Sequence, residues 1–512
     1  MNRTRRDEYT AVDEQQARSA LQQLENDFEV KAAAAINSGE SYYDTFNGDF
    51  YAGGYLLKKN KKKLVLAGFD GEIVAAGTAP EGLRFFPVDI VEPELRQQLW
   101  GVAGIRALIP ICSRRIASEP FDLRNGDRKI VVRALYQYGS AVVDGQEAEL
   151  QPLVRIDEVR GYESDFEKAS ELLADAGLAP TEGRNSLDLA LAALEVPRPS
   201  YSSKYALALG DDICLRDAVV TIGGYLLASM EVNHSGVIED IDTEFLHDFR
   251  IAVRRTRSLL SQMKNYLPRQ QLEFFQKEFK WLGSVTGPVR DLDVYLLMKE
   301  DYTDMLPRQL HRGLEEFFVE LGRQRAEMLE IMNKGLTSDR YARLIREWKQ
   351  FLEDDGESFP WPGAQQRCQP VVRKAIRRRF QKILKKGARI DAHSADNDLH
   401  SLRIQGKKLR YMLEFFRSFY AEKEIDFFHR QMKKLQNNLG DFNDIAVQLE
   451  MLEEYGNALR PGSKRSLRIS AAVGGLITHL SQKHSKVRQK FEKTFSDFAS
   501  TKNQKRFQQT LV

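Results

Sequence analysis

Three cysteines in 512 residues, Cys112, Cys214 and Cys368, stand far apart, and none belongs to a CxxC pair. That spacing indicates neither a disulfide framework nor a zinc knuckle, and a reducing compartment, the cytoplasm, fits best. No apolar run reaches the roughly 18 uninterrupted residues of a membrane helix, so no membrane insertion is expected. The first ten residues, MNRTRRDEYT, are too polar for a secretory signal. What remains is the composition of an ordinary soluble protein, 42% hydrophobic and 29% charged. The chain is long enough for about two to four domains, each burying its own core.

The formal net charge of +3 says little until it is divided along the chain. Residues 1–200 hold 24 Lys and Arg against 32 Asp and Glu, a net of −8, and the remaining 312 hold 52 against 41, a net of +11. The basic excess therefore belongs to one part. Such asymmetry fits a polyanionic partner for the C-terminal part: nucleic acid, polyphosphate, inositol phosphates or an anionic surface. The plain alternative is a solvated basic surface with no ligand.

The acidic part opens with a predicted helix, DEQQARSALQQLENDFEV. Short β-rich runs follow, broken by NGD, GG, NKKK and DGE, which read as hairpin signals. Further strands are expected in RALIPICSRRIAS, DRKIVVRALYQYGSAVV and LQPLVRIDEVRGY, and helices in DFEKASELLADAGL and SLDLALAALEV. An antiparallel α+β domain over residues 1–196 accounts for this order, with a linker at 197–207 around PRPSYSS. From there on the pattern is all-α, with long helical periodicity and short breaks such as EDDGESFPWPG.

The helical part repeats itself. His247-x2-Arg250-x3-Arg254-Arg255-x-Arg257 returns 153 residues later as His400-x2-Arg403-x3-Lys407-Lys408-x-Arg410, every basic position recurring as a basic position. The same offset carries Lys280 onto Lys433, Gly287 onto Gly440, Arg290 onto Asn443 and Asp291 onto Asp444. Two copies of one helical unit follow, about 208–350 and 365–505, within a domain spanning 208–512.

At about 100° per residue, His247, Arg250, Arg254 and Arg257 fall within an arc of roughly 80°. Leu246, Phe249, Val253 and Leu260 occupy the adjoining arc, so the basic stripe borders the apolar face rather than opposing it. The second copy behaves alike, with Leu399, Leu402, Leu409 and Leu413 beside its stripe. Like charges at this spacing disfavour a helix by a few tenths of a kcal/mol per pair, roughly, unless anions compensate them. Arginine suits phosphate through its planar fork and lysine as a compact charge. A third basic element, residues 371–390, carries nine Lys and Arg and no acid, opposite an apolar face of Val372, Ile376, Phe380 and Ile383. Its plain reading is a solvated or membrane-surface helix. Asp291 and Asp444 read as orienting or capping acids before metal ligands.

At HDFRIAVRRTRSLL and HSLRIQGKKLRYMLEFF, followed by LGSVTGPVRDLDVYL and LQNNLGDFNDIAVQL, the chain resembles the CHAD family, named for conserved histidines in an α-helical domain. The resemblance spans about 208–505. It implies two pseudo-symmetric helical bundles enclosing a basic channel that binds inorganic polyphosphate, often at polyphosphate granules. The N-terminal part is similar to the CYTH domain of the triphosphate tunnel family through SYYDTFNGDFYAGGYLLKK and LQPLVRIDEVRGYESDFEKASELL. That resemblance implies an antiparallel β-barrel or tunnel, degenerate here. The family's ExExK metal strand is reduced to Glu8, and Arg155 and Asp157 stand where paired glutamates are expected. Lys58, Arg114, Arg115, Arg128 and Arg133 are its phosphate-contact candidates.

Stripe and resemblance together give the expected polyphosphate-binding set: His247, Arg250, Arg254, Arg255, Arg257, Lys280, Arg290, Arg373, Arg377, Arg378, His400, Arg403, Lys407, Lys408, Arg410, Tyr411, Lys433 and Lys434. No catalytic residue, metal or cofactor is expected. Two alternatives stand beside this reading: a metal-dependent triphosphatase in the N-terminal domain, and nucleic-acid binding by the basic helices. Against the latter, nucleic-acid sites usually add aromatic platforms for bases, and the stripes offer little besides Tyr411.

Overall fold

A computed structural model of the protein describes residues 5–205, 207–354, 358–391, 393–460 and 462–511. Residues 355–357, within the expected EDDGESFPWPG break, and Ala206, within the expected linker, lie outside them. The chain divides into two compact units, residues 1–202 and 203–512.

The first unit is built on eleven strands: β1 Arg6–Thr10, β2 Glu29–Ala32, β3 Ile36–Asp44, β4 Tyr55–Lys59, β5 Lys63–Gly68, β6 Ile73–Thr78, β7 Ile109–Arg124, β8 Ile130–Val143, β9 Gln146–Glu149, β10 Leu153–Glu158 and β11 Ala179–Pro180. Their order is β11-β1-β10-β8-β7-β3-β4-β5-β6, with β2 also on β7 and β9 also on β8, and every ladder is antiparallel. Among the described residues no ladder joins β6 to β11, so the hydrogen-bonded path is open. Among the described residues five α-helices accompany the sheet: α1 Glu14–Gln23, α2 Asp49–Ala52, α3 Pro93–Ala103, α4 Glu163–Asp175 and α5 Ser186–Ala193. One core packs α1 and α4 on the sheet through Ala17, Leu21, Phe166 and Leu173 against Val131, Val154 and Ile156.

Local chemistry explains where this unit departs from the sequence reading. NKKK and DGE are true hairpin turns: Asn60 accepts from the amides of Lys62 and Lys63 at 3.0 and 2.8 Å, and Gly71 takes φ 81°, a conformation glycine allows cheaply. NGD instead starts α2, because the buried carboxylate of Asp44 accepts from the amides of Thr45, Phe50 and Tyr51 at 2.7 to 2.9 Å. The helix expected over residues 13–30 stops at Gln23. Its tail becomes a 3-10 turn and then β2, which pairs with β7.

The second unit is helical: α6 Leu215–Ile238, α7 Thr243–Gln262, α8 Arg269–Leu297, α9 Lys299–Met305, α10 His311–Leu336, α11 Asp339–Glu353, α12 Cys368–Gly387, α13 Asp396–Phe415, α14 Glu422–Ala458, α15 Lys464–Gln489, α16 Phe491–Phe498 and α17 Thr501–Leu511. The repeat is structural as well as sequential. The starts of α6, α7, α8 and α10 each recur 153 residues later as the starts of α12, α13, α14 and α15. Equivalent elements also meet: α7 packs on α13, α10 packs on α15, and Cys214 bridges its own counterpart Arg367. The copies share a core, in which Tyr302, Leu314, Phe317 and Leu321 of the first pack with Leu452, Ile469, Val473 and Leu476 of the second. The two bundles are therefore halves of one packed body.

Candidate polyanion-binding site

Helix α7 starts where Asp242 caps it, its carboxylate accepting from the amides of Glu244 and Phe245 at 2.8 and 3.2 Å. Leu246, Phe249, Val253 and Leu260 are buried, as the spacing predicts. His247 and Arg250 lie half-buried at the edge of that face, and Arg254 and Arg257 are exposed. In α13, Leu399, Leu402, Leu409 and Leu413 are buried, His400 is exposed, and Arg403, Lys407 and Arg410 are half-buried.

Each stripe is steadied by the helix that follows it. Arg250 donates to the Gly283 carbonyl at 3.0 Å and to Thr286 Oγ1 at 2.9 Å, both on α8. Glycine matters there: a Cβ at Gly283 would stand 3.0 Å from a guanidinium nitrogen of Arg257, and one at Gly287 3.6 Å from Arg250. Arg290 reaches back to the Thr243 carbonyl at 3.2 Å and to Glu244 at 3.6 Å. In the second copy, His400 Nδ1 and Asn443 Oδ1 are 2.6 Å apart and Arg403 donates to Asp444 at 2.9 Å. Asp444 thus orients a cation.

The stripes also meet each other. Arg254 of α7 is a charge neighbour of both Arg403 and Lys407 of α13. Burial, reinforced by Arg403, Arg254 and Arg410 against the pull of Asp444, brings the Lys407 ammonium down to about 8. Burial likewise lowers Arg250 to about 10, with Asp291 opposing and Arg254, Arg290 and Arg257 adding to the fall. Asp291 is accessible to solvent, yet the protein around it raises its carboxyl despite Arg250, Arg254 and Arg290. Arg254, Arg257 and Lys407 form no hydrogen bond or ion pair among the described residues. Uncompensated cations from two helices in one place, held by neighbours that leave their tips open, can take an anion with several phosphate oxygens.

Other expected residues serve elsewhere. Arg255 donates to Glu414 at 3.1 Å with its side chain 14% exposed, and Arg410 meets the same carboxylate at 3.2 Å, so Glu414 ties the two copies together. Tyr411 is buried beneath Arg410, its ring 5.3 Å from the guanidinium carbon. Arg373 lies over the Tyr420 ring at 5.8 Å. Lys280, Arg377, Arg378, Lys433 and Lys434 are exposed and unpaired among the described residues. Lys408 lies among Arg379, Lys382 and Lys264 and not with Arg403 and Arg254. Sequence spacing missed Gly283, Thr286 and Glu414. The first two stand within the LGSVTGPVRDLD motif, which was the available signal; the link of Glu414 to the first copy gave none, Arg255 being 159 residues away.

The first unit encloses a cavity of about 930 Å³ lined by both ends of the strand order, including Glu8, Glu40, Lys58, Arg114, Arg155 and Ile73. Arg114 pairs with Glu40, which also accepts from Tyr42 Oη at 2.8 Å. Burial alone would raise the Glu40 carboxyl, but Arg114, Lys58 and the hydrogen bonds hold it below the usual range. Arg155 is held by Asp157 at 3.1 Å. Arg115 pairs with Glu147 beside another pocket, and Arg133 is exposed on β8; neither it nor Arg128 lines the cavity. The CYTH resemblance implies a divalent metal here, and the donors do not fit one: Glu40 is already committed to an arginine, with Lys58 and Arg155 beside Glu8. Among the described residues no group of three or more His, Cys, Asp or Glu is arranged to hold a metal ion.

An antiparallel sheet unit followed by a pseudo-symmetric helical unit with paired basic stripes defines the class. The family model described as CHAD domain matches residues 222–453, and the helical unit carries a CHAD domain. The sheet unit is compatible with the CYTH resemblance. Uncharacterized proteins MT2285 and Rv2226 of Mycobacterium tuberculosis, from strains CDC 1551 / Oshkosh and ATCC 25618 / H37Rv, are each 27% identical over 213 residues. The match takes in 40% of this chain and spans 39% of the length of these curated relatives. Among solved structures, the CHAD domain from the plant Ricinus communis is 26% identical, covering 58% of this chain and 96% of that one with a TM-score of 0.49. PptA from Streptomyces chartreusis is 12% identical, covering 56% and 100%, with a TM-score of 0.44. No helix among the described residues is long and apolar enough to cross a membrane.

Proposed function

We propose that this protein binds inorganic polyphosphate, without catalysis, between the α7 and α13 stripes, in the cytoplasm and at polyphosphate granules. The observation that carries the reading is the convergence of Arg254, Arg403 and Lys407 from two copies of one helix, with Lys407 lowered by burial and then by its cationic neighbours, and Arg254 and Lys407 making no hydrogen bond or ion pair among the described residues. The CHAD match supports the same ligand class. A charge-assisted hydrogen bond contributes about 1.5–3 kcal/mol. Reversing two such contacts in an Arg254→Glu/Lys407→Glu variant should weaken polyphosphate binding about 100-fold or more and flatten its salt dependence. Unchanged affinity in a folded variant sinks the reading. Competition with single-stranded RNA of matched charge separates polyphosphate from nucleic acid.

The N-terminal unit is proposed to lack triphosphatase activity, because Glu40 faces its cavity paired with Arg114, Glu8 lies beside Lys58, and no group of three or more acidic, His or Cys side chains among the described residues is arranged to hold a metal ion. Without oxygen ligands for Mg²⁺ the transferring phosphoryl loses its main electrostatic stabiliser. Tripolyphosphate incubated with the protein and Mg²⁺ or Mn²⁺ should release no phosphate above buffer; sustained turnover refutes this part.

A further inference from the structure

Lys407 and Lys408 adjoin in sequence, but α13 turns them about 100° apart, and they face different surroundings. Lys407 belongs to the stripes. Lys408 stands among Arg379 and Lys382 of α12 and Lys264, just beyond α7. Within this group Arg379 donates to Gln405 Oε1 at 2.7 Å, and beside it Lys386 donates to Ser401 Oγ at 2.5 Å, both bonds joining α12 to α13 through neutral partners. Lys264, Arg379, Lys382 and Lys408 have no acidic partner among the described residues.

The repeat shows that this group is not simply one half of the stripe system. At the corresponding positions 153 residues earlier, Arg379, Lys382 and Gln405 are replaced by Leu226, Ser229 and Ala252, and Lys408 by Arg255, which Glu414 neutralises. The stripes occur twice, whereas the second group occurs once. Four cations from three elements repel one another and oppose folding unless an anion joins them.

We propose that Lys264, Arg379, Lys382 and Lys408 form a second phosphate-binding site, which takes the continuation of a polyphosphate chain seated in the α7 and α13 stripes. This rests on the polyphosphate reading above. On a helix about 10–12 Å across, a 100° arc spans on the order of 10 Å, which a few phosphoryl repeats cover. Half-exposed Ile404 lies on the surface between. A short chain fills the stripes alone; a long one reaches both sites and gains from the high effective concentration of its own second segment.

The test compares long-chain polyphosphate with tripolyphosphate on the full chain. Lys264 and Lys382 are exposed, so a Lys264→Gln/Lys382→Gln variant keeps its fold, checked by circular dichroism. Long-chain affinity should fall about tenfold or more, while tripolyphosphate affinity stays within about twofold of the parent. Equal affinity for the long chain overturns the second site, as does an equal loss for both ligands. A loss confined to single-stranded RNA overturns it too, by making the group a nucleic-acid contact. The Arg254→Glu/Lys407→Glu variant tells the two readings apart: tripolyphosphate binding that survives it refutes the stripes themselves, whereas its loss there, with long-chain affinity intact in the Lys264/Lys382 variant, refutes only the second site.

Discussion

Lys407 pays for its place with a depressed ammonium, and the sign of that shift makes two predictions. An unfolded lysine titrates near 10.4, while in the fold burial and Arg403, Arg254 and Arg410 bring Lys407 to about 8. Between those values the unfolded chain binds more protons, so this group makes stability rise with pH through that window. Below about 8 its destabilising contribution is fully present. Lys407→Met should therefore raise the thermal midpoint at pH 7 while weakening polyphosphate binding, an exchange of stability for function. A bound polyanion favours the charged lysine, so binding takes up a proton above about pH 8 and affinity declines as pH climbs further. One such group lowers affinity by up to about tenfold per pH unit. Calorimetry in two buffers of different ionisation enthalpy reads that uptake directly; equal heats in both buffers at pH 9, or a variant with the parent's pH profile, would refute it.

Helices α7 and α13 were legible in the sequence because their stripes repeat at a fixed offset and their apolar arcs follow helical periodicity. The extent of the two copies followed from the same offset, but the pairing of α6 with α12 and of α10 with α15 was not legible, since those pairs share helix starts but little sequence. The stop of α1 at Gln23 was illegible too, since the rest of its expected span is claimed by pairing with β7, a contact more than ninety positions away. The same holds for Glu414, which joins α13 to α7 by accepting from Arg255 while also meeting Arg410. Removing its charge leaves two crowded arginines without an acid. Since complete loss of a buried pair costs about 3–5 kcal/mol and this one retains some solvent, Glu414→Gln should cost about 2 kcal/mol in urea unfolding. At the other contact between the copies, a Cβ on Gly313 of α10 would lie 2.2 Å from the Arg468 carbonyl of α15. Gly313→Ala should therefore cost about 1–3 kcal/mol by forcing these helices apart, and a variant as stable as the parent would show that the copies pack more loosely than described.

Across the whole molecule, charge is segregated with the fold. The helical unit, residues 203–512, carries the entire net of +11, and the sheet unit is acidic. Each unit has its own core, so a chain of residues 203–512 should fold alone. If every polyphosphate contact lies on the stripes and on the group around Lys408, removing the sheet unit deletes no contact. What it removes is a tethered negative charge, whose reach is set by screening. At about 0.15 M salt the Debye length is near 8 Å, so affinity should stay within about twofold of the full chain. At about 0.01 M it is near 30 Å, and the shortened chain should bind more tightly and associate faster, because the acidic unit no longer repels the approaching polyanion. Titrations of both chains across that salt range decide the matter. Curves that converge at high salt place binding in the helical unit, whereas a shortened chain that binds more weakly at every salt concentration means that cations of the sheet unit, Lys58 and Arg114 among them, hold part of the ligand.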